Sequence, residues 1–195
     1  MSNCATVLRQ QIRDEVAALQ PLDELEMDHR ERLMAWIASG AELCRLAKPA
    51  TPPMHLVSYF VVIDEAQQRM LLVEHRDAGL WLPPGGHVEP GEHPRDTVAR
   101  ELREELGLAL NKPVGAPLFI TATETVGISA GHTDVSLWYL VRLHGSQPIV
   151  FDEAEFTSVR WFDLDELPLA QSDPHLGRFI EKLRQHQPVG TVTTA

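Results

Sequence analysis

Apolar residues recur along this chain in two rhythms, one helical and one alternating. Near the N-terminus Val7, Ile12, Val16 and Leu19 return at helical spacing. Pro21 interrupts them, and Leu33, Trp36, Ile37 and Leu43 resume the pattern, so residues 5 to 47 read as two amphipathic helices with a bend at Gly40. Lys48-Pro49-Ala50-Thr51-Pro52-Pro53 reads as a stiff linker, because successive prolines resist helix and favour extended backbone. His55 to Ile63 and Met70 to Glu74, rich in β-branched and aromatic residues, predict two strands joined by a turn at Gln67 to Arg69. Further strands are expected at 117–126 and 134–143, a terminal helix from Leu176 to Gln185, and a frayed tail after Pro188.

One more helix is predicted from Pro94 to Leu106. Pro94 suits a first helical position, Asp96 lies where the helix dipole favours negative charge, and Gly107 can adopt the backbone that ends a helix. Val98, Ala99, Leu102 and Leu106 make its apolar face. Beside that face, Glu101, Glu104 and Glu105 fall within an arc of about 100°, with Glu105 nearest the core and Glu104 furthest. Like charges at these spacings destabilise a helix by a few tenths of a kcal/mol per pair. Crowded hard oxygen donors suit Mg²⁺ or Mn²⁺; the alternative is a solvated acidic face. Upstream, Trp81-Leu82-Pro83-Pro84-Gly85-Gly86 is an apolar approach into a glycine-rich loop that lets backbone come close to a metal and its phosphate ligand.

Composition narrows the class. The 195 residues, 44% of them hydrophobic, suffice for one domain with a proper core plus an appendage. A formal charge of −11 argues against polymeric nucleic acid as partner but not against a nucleotide, whose phosphates a bound cation can neutralise. Cys4 and Cys44 give no disulfide framework, and no apolar run reaches the length of a membrane span, so the cytoplasm is the default compartment.

Taken together, Gly86, Glu92, Arg100, Glu101, Leu102, Glu104, Glu105, Gly107 and Leu108 occupy every specified position of a loop-helix motif over residues 86–108. This segment resembles the signature box of the Nudix hydrolases. The resemblance implies an α/β fold in which a mixed β-sheet is sandwiched between helices, here with an N-terminal helical extension. It divides the chain into an extension at 1–48, a hydrolase domain at 49–188 and a tail at 189–195. It further implies metal-dependent hydrolysis of a diphosphate linkage in a nucleotide derivative, with Mg²⁺ or Mn²⁺ as cofactor. In that frame Glu101 and Glu105 are metal ligands, Glu104 is a ligand or a base, and Gly86 offers its carbonyl. Arg100 orients a box carboxylate, and Glu92 supports the site from behind. The general base comes from the box or from a later loop, where Glu155 ranks ahead of Glu153.

Substrate contacts are read more loosely. Arg76 after the second strand is a candidate for phosphate, the alternative being a salt bridge at the rim. His132 and Asp134 are candidates for base or sugar, or else cap a strand. His87 is a metal or phosphate candidate, His93 is incidental, and Trp81 is read as packing. Downstream markers of the NADH, ADP-ribose and dinucleoside-polyphosphate subfamilies are absent. Nucleoside triphosphates, yielding monophosphate and pyrophosphate, are therefore favoured over ADP-ribose, sugar nucleotides or a specialised metabolite. An intact box weighs against a non-catalytic binding protein, and the lack of a suitably placed cysteine against isomerase chemistry. The N-terminal helices are expected to pack on the domain or to form a homodimer contact, rather than to lean over the site.

Overall fold

The computed structural model describes residues 3–48, 50–110, 112–125 and 131–186. The tail after Pro188, Val126 at the end of an expected strand and the Cys4 side chain lie outside the described residues. Helices α1 (Asn3–Ala18) and α2 (Glu24–Ser39) precede β1 (Met54–Asp64), β2 (Arg69–His75), β3 (Leu80–Leu82) and β4 (Gly85–His87). Helix α3 (Pro94–Leu106), β5 (Phe119–Glu124), β6 (Thr133–Arg142), β7 (Phe156–Asp163) and α4 (Leu176–His186) follow.

The strands form one mixed sheet of order β3-β2-β1-β6-β5, with β4 joined to β1 and β7 to β2. β1 and β6 run parallel, and the other pairs are antiparallel. β1 and β2 stay paired only from Val62–Leu71 to Asp64–Arg69. Beyond that point they part: β1 takes β4 as its neighbour and β2 takes β3. The sheet thus forks, and the fork opens a cleft between its arms.

Both faces of the sheet are buried, as a two-residue period demands. Phe60, Val62, Leu71 and Val73 face α1, α2 and α3 together with Ile12, Trp36, Val98 and Leu102. Their neighbours Val61, Ile63, Met70 and Leu72 face α4 through Phe179, Ile180 and Leu183. The mixed sheet between helices is therefore present, and the N-terminal helices share one continuous core with it. Helix α2 lies beside the edge strand β5, where the Glu26 carboxylate accepts from the Ile120 N–H, a donor the sheet leaves unpaired. That carboxylate also accepts from the Leu22 N–H at 2.6 Å and pairs with Lys182 of α4. Nearby, Arg178 of α4 pairs with Asp23, the residue that caps α2.

Two expectations need correction. The second helix does not bend at Gly40 and continue; it ends there, because Gly40 adopts φ 78° and donates its N–H back to Ile37. Leu43 is buried from an irregular arm instead, its carbonyl accepting from Leu56 of β1. The glycine-rich segment before α3 is not wholly loop either, since Gly85–His87 pairs with Val57–Tyr59 as strand β4.

Candidate functional site

Helix α3 begins with Pro94 in its first turn and His93 as cap, and ends at Gly107 with φ 64°. Burying Val98, Leu102 and Leu106 completely fixes the helix's rotation. Glu101 and Glu105, one turn apart, then face β4, while Glu104 points outward with a side chain 58% exposed. Glu105 is 4% exposed and its Oε2 has no hydrogen-bond partner.

Arg100 organises the acids. Its Nε and Nη2 clasp both oxygens of Glu92 at 2.9 Å, Nη2 also donates to the His87 carbonyl at 3.1 Å, and Nη1 donates to Glu101 at 2.7 Å and Glu104 at 3.3 Å. Thr97 donates to Glu92 at 2.7 Å, and the Glu89 N–H completes that carboxylate's shell. Burial would raise the Glu92 pKa, but Arg100 and Thr97 outweigh it and hold the group below its ordinary value. Glu101 goes the other way: burial pushes it up despite Arg100. Glu105 is driven well above the usual carboxylate range by burial, then by the negative charges of Glu101 and Glu155. A buried carboxylate with a bare oxygen, facing two more acids, is the arrangement a divalent cation relieves. Arg100→Lys removes the two-pronged clasp, and the Mg²⁺ dependence of the rate should show a loss of about 10–100-fold in metal affinity or activity.

Gly86 is pressed against this pair. A Cβ there would lie 1.8 Å from Glu101 Oε1 and 2.2 Å from its Cδ, so any side chain displaces the carboxylate. Gly86→Ala should lower kcat/KM by about 10²-fold while circular dichroism stays unchanged.

Glu155, in the turn before β7, is exposed but close enough to Glu105 to raise its pKa by charge and by a carboxyl contact. Arg76 lies outside the cleft wall; its guanidinium donates to the Glu153 carbonyl at 2.8 Å and its N–H to the Glu155 carbonyl at 2.9 Å, fastening this turn. Trp81 packs edge-on against Phe162. The cleft in the fork measures about 740 Å³, with Tyr59, Leu80, Leu82 and Phe156 among its apolar walls and Gly85 and Gly86 at one border. Asp173, also in the wall, has its carboxyl pushed up to about 6 by burial.

His132 and Asp134 line the cleft, but they also converge on two residues of other strands. His55, His87, His132 and Asp134 bring one ligand atom each within 4.8 Å of the others, a set suited to a divalent cation. Of these, His55 was legible only as a polar residue in an otherwise apolar strand. Cys44 is a buried thiol donating to the Glu89 carbonyl, its pKa pushed up to about 11 by burial. Among the described residues no helix is long and apolar enough to cross a membrane.

The NUDIX domain family matches residues 54–183. The chain is 31% identical over 125 residues to an uncharacterized Nudix hydrolase, YvcI, of Bacillus subtilis, covering 60% of this chain and 75% of that protein. It is 30% identical over 142 residues to the CTP pyrophosphohydrolase of Escherichia coli, covering 69% of this chain and 98% of that one. The crystal structure of a MutT NUDIX hydrolase from Burkholderia pseudomallei superposes with a TM-score of 0.54 at 25% identity, over 67% of this chain and 98% of that one. Because the likeness runs from β1 into α4 and not through the box alone, the chain belongs to the Nudix family, as a catalytic hydrolase of diphosphate linkages in nucleotides.

Proposed function

We propose that the chain hydrolyses a nucleoside triphosphate between its α and β phosphates, releasing nucleoside monophosphate and pyrophosphate. The observation that carries this reading is Glu105: buried, bare at Oε2, set against Glu101 and Glu155, and hydrogen-bonded to the backbone of Gly85, which lines a cleft of about 740 Å³. That volume suits one nucleotide, and the apolar wall around Tyr59 and Leu80 offers a surface for its base. The Escherichia coli relative, named for CTP, supports the triphosphate class.

Glu101, Glu105, Glu104 and the Gly86 carbonyl would hold Mg²⁺ or Mn²⁺, which would neutralise phosphate charge and make water a better nucleophile. The chain's own groups do the rest. Arg100 fixes Glu101 and Glu92, Glu155 accepts the proton of the attacking water, and Arg76 serves by holding the Glu155 turn in place. The test is a panel of NTPs and dNTPs, ADP-ribose, sugar nucleotides and dinucleoside polyphosphates in Mg²⁺ and Mn²⁺, with products resolved by mass. Monophosphate and pyrophosphate from a triphosphate are expected. Turnover confined to ADP-ribose or a sugar nucleotide, or none at all, overturns the triphosphate assignment.

A further inference from the structure

The box acids do not account for the cluster that His87, His132 and Asp134 of the cleft wall form with His55. In the parallel pair of β1 and β6, His55 stands opposite Asp134, and His87 stands opposite Val57 on the other side of β1. Strand register therefore forces these side chains together. His55 Nε2 lies 3.1 Å, His132 Nε2 3.2 Å and His87 Nε2 3.9 Å from the same atom, Asp134 Oδ1. None of the three contacts has the geometry of a hydrogen bond. His55 Nε2, His87 Nε2 and Asp134 Oδ1 are buried atoms without a partner, and His55 is wholly inaccessible.

The far sides of the rings explain this. His55 Nδ1 sits 2.9 Å from the Pro52 carbonyl, which can only accept, so Nδ1 carries the hydrogen. His132 Nδ1 sits 3.0 Å from Thr125 Oγ1, a partner that accepts an Nδ1 hydrogen when the hydroxyl gives its own to the His132 carbonyl at 3.2 Å. In that tautomer each Nε2 turns a lone pair toward a carboxylate oxygen about 3 Å away, an arrangement that a cation between them relieves. Imidazoles held at Nδ1 by a carbonyl or hydroxyl, with Nε2 turned inward, are the usual preparation of a metal-binding histidine.

We propose that His55, His87, His132 and Asp134 form a tetrahedral Zn²⁺ site distinct from the box carboxylates. Bonds of about 2.0–2.1 Å in a tetrahedron place ligand atoms about 3.3 Å apart, and the contacts to Asp134 run from 3.1 to 3.9 Å. Three nitrogens and one oxygen suit Zn²⁺, whereas Mg²⁺ keeps to oxygen donors. Four protein ligands close the coordination sphere, so the ion braces structure and does not activate water. What it braces is specific: His87 follows Gly86, and its carbonyl receives Arg100. The zinc pins the box segment to β1 and β6 and so sets the position of the glycine against Glu101.

The test uses protein produced with zinc supplied and dialysed into Mg²⁺ buffer, with metals counted by mass spectrometry. About one zinc per chain is expected in the wild type and in Glu105→Gln, falling about tenfold or more in Asp134→Asn and His87→Ala. Replacement by Co²⁺ should give the visible absorption of a tetrahedral ion in the wild type, which decides the matter even where a variant fails to fold. Wild-type protein lacking both zinc and that absorption, or zinc retained equally by both variants, overturns the proposal. Because Glu105→Gln serves as the zinc-retaining control, failure here is separable from failure of the nucleotide reading.

Discussion

Glu105→Gln is expected to lose about 10²–10⁴-fold in kcat/KM and yet to melt at a higher temperature than the wild type when metal is absent. The two effects share one cause. Glu105 is buried against Glu101 and Glu155, so its folded pKa stands well above its ordinary value. The metal-free fold therefore carries no penalty from this group below the ordinary carboxylate range. It loses stability as pH rises through the raised pKa, where the charge is forced on. Glutamine keeps the shape and removes the charge. The stability gain should be present at pH 8 in chelator and vanish near pH 4, at about 2–4 °C of melting temperature per kcal/mol. Mg²⁺ reverses the order, stabilising the wild type and not the variant. Parallel melting curves with and without the ion check this, beside the product-resolved assay. Undiminished turnover, or a lower metal-free melting temperature, would show that Glu105 is not a strained metal ligand.

Glu26→Ala should be the most destabilising single change away from the site, costing about 3–5 kcal/mol, or about 6–20 °C in melting temperature. Its carboxylate is wholly buried, as is nearly all of Lys182, and it also satisfies the N–H groups of Leu22 and Ile120. Alanine strands a buried ammonium and two donors at once. The double change Glu26→Leu with Lys182→Met removes both charges and should recover much of the loss. Urea titration of the two variants beside the wild type tests it: equal instability of single and double variants would mean that the charge pair is not what Glu26 supplies.

The elements nearest to one another in sequence were the most legible. The Pro94 start, apolar face and Gly107 stop of α3 are all local, so the helix and the inward turn of Glu105 follow from spacing alone, although the capping role of His93 does not. Gly40 carried a local signal too, but the apolar Leu43 beyond it suggested continuation; the fold buries Leu43 from an extended arm instead. The Glu155 turn reaches Glu105 through the pairing of β7 with β2 and the bond from the Asp152 N–H to the Glu105 carbonyl, and the same pairing brings Arg76, open in the sequence between phosphate and a rim contact, onto the turn's carbonyls. The histidine cluster was hidden for the strongest reason. Its members come from three strands and the bend just before β6, and the parallel pairing of β1 with β6, which no short-range pattern announces, puts His55 opposite Asp134.

The Glu26–Lys182 contact also bears on how the chain is made. The two residues are 156 positions apart, so at 5–20 residues per second roughly 8–31 s separate their synthesis. Throughout that interval the acid on α2 has no cation to meet, and closing it into a dry interior would cost more than leaving it wet. Helix α2 must therefore wait, loosely held, until α4 has been made, and the edge of β5 gains its settled cover only then.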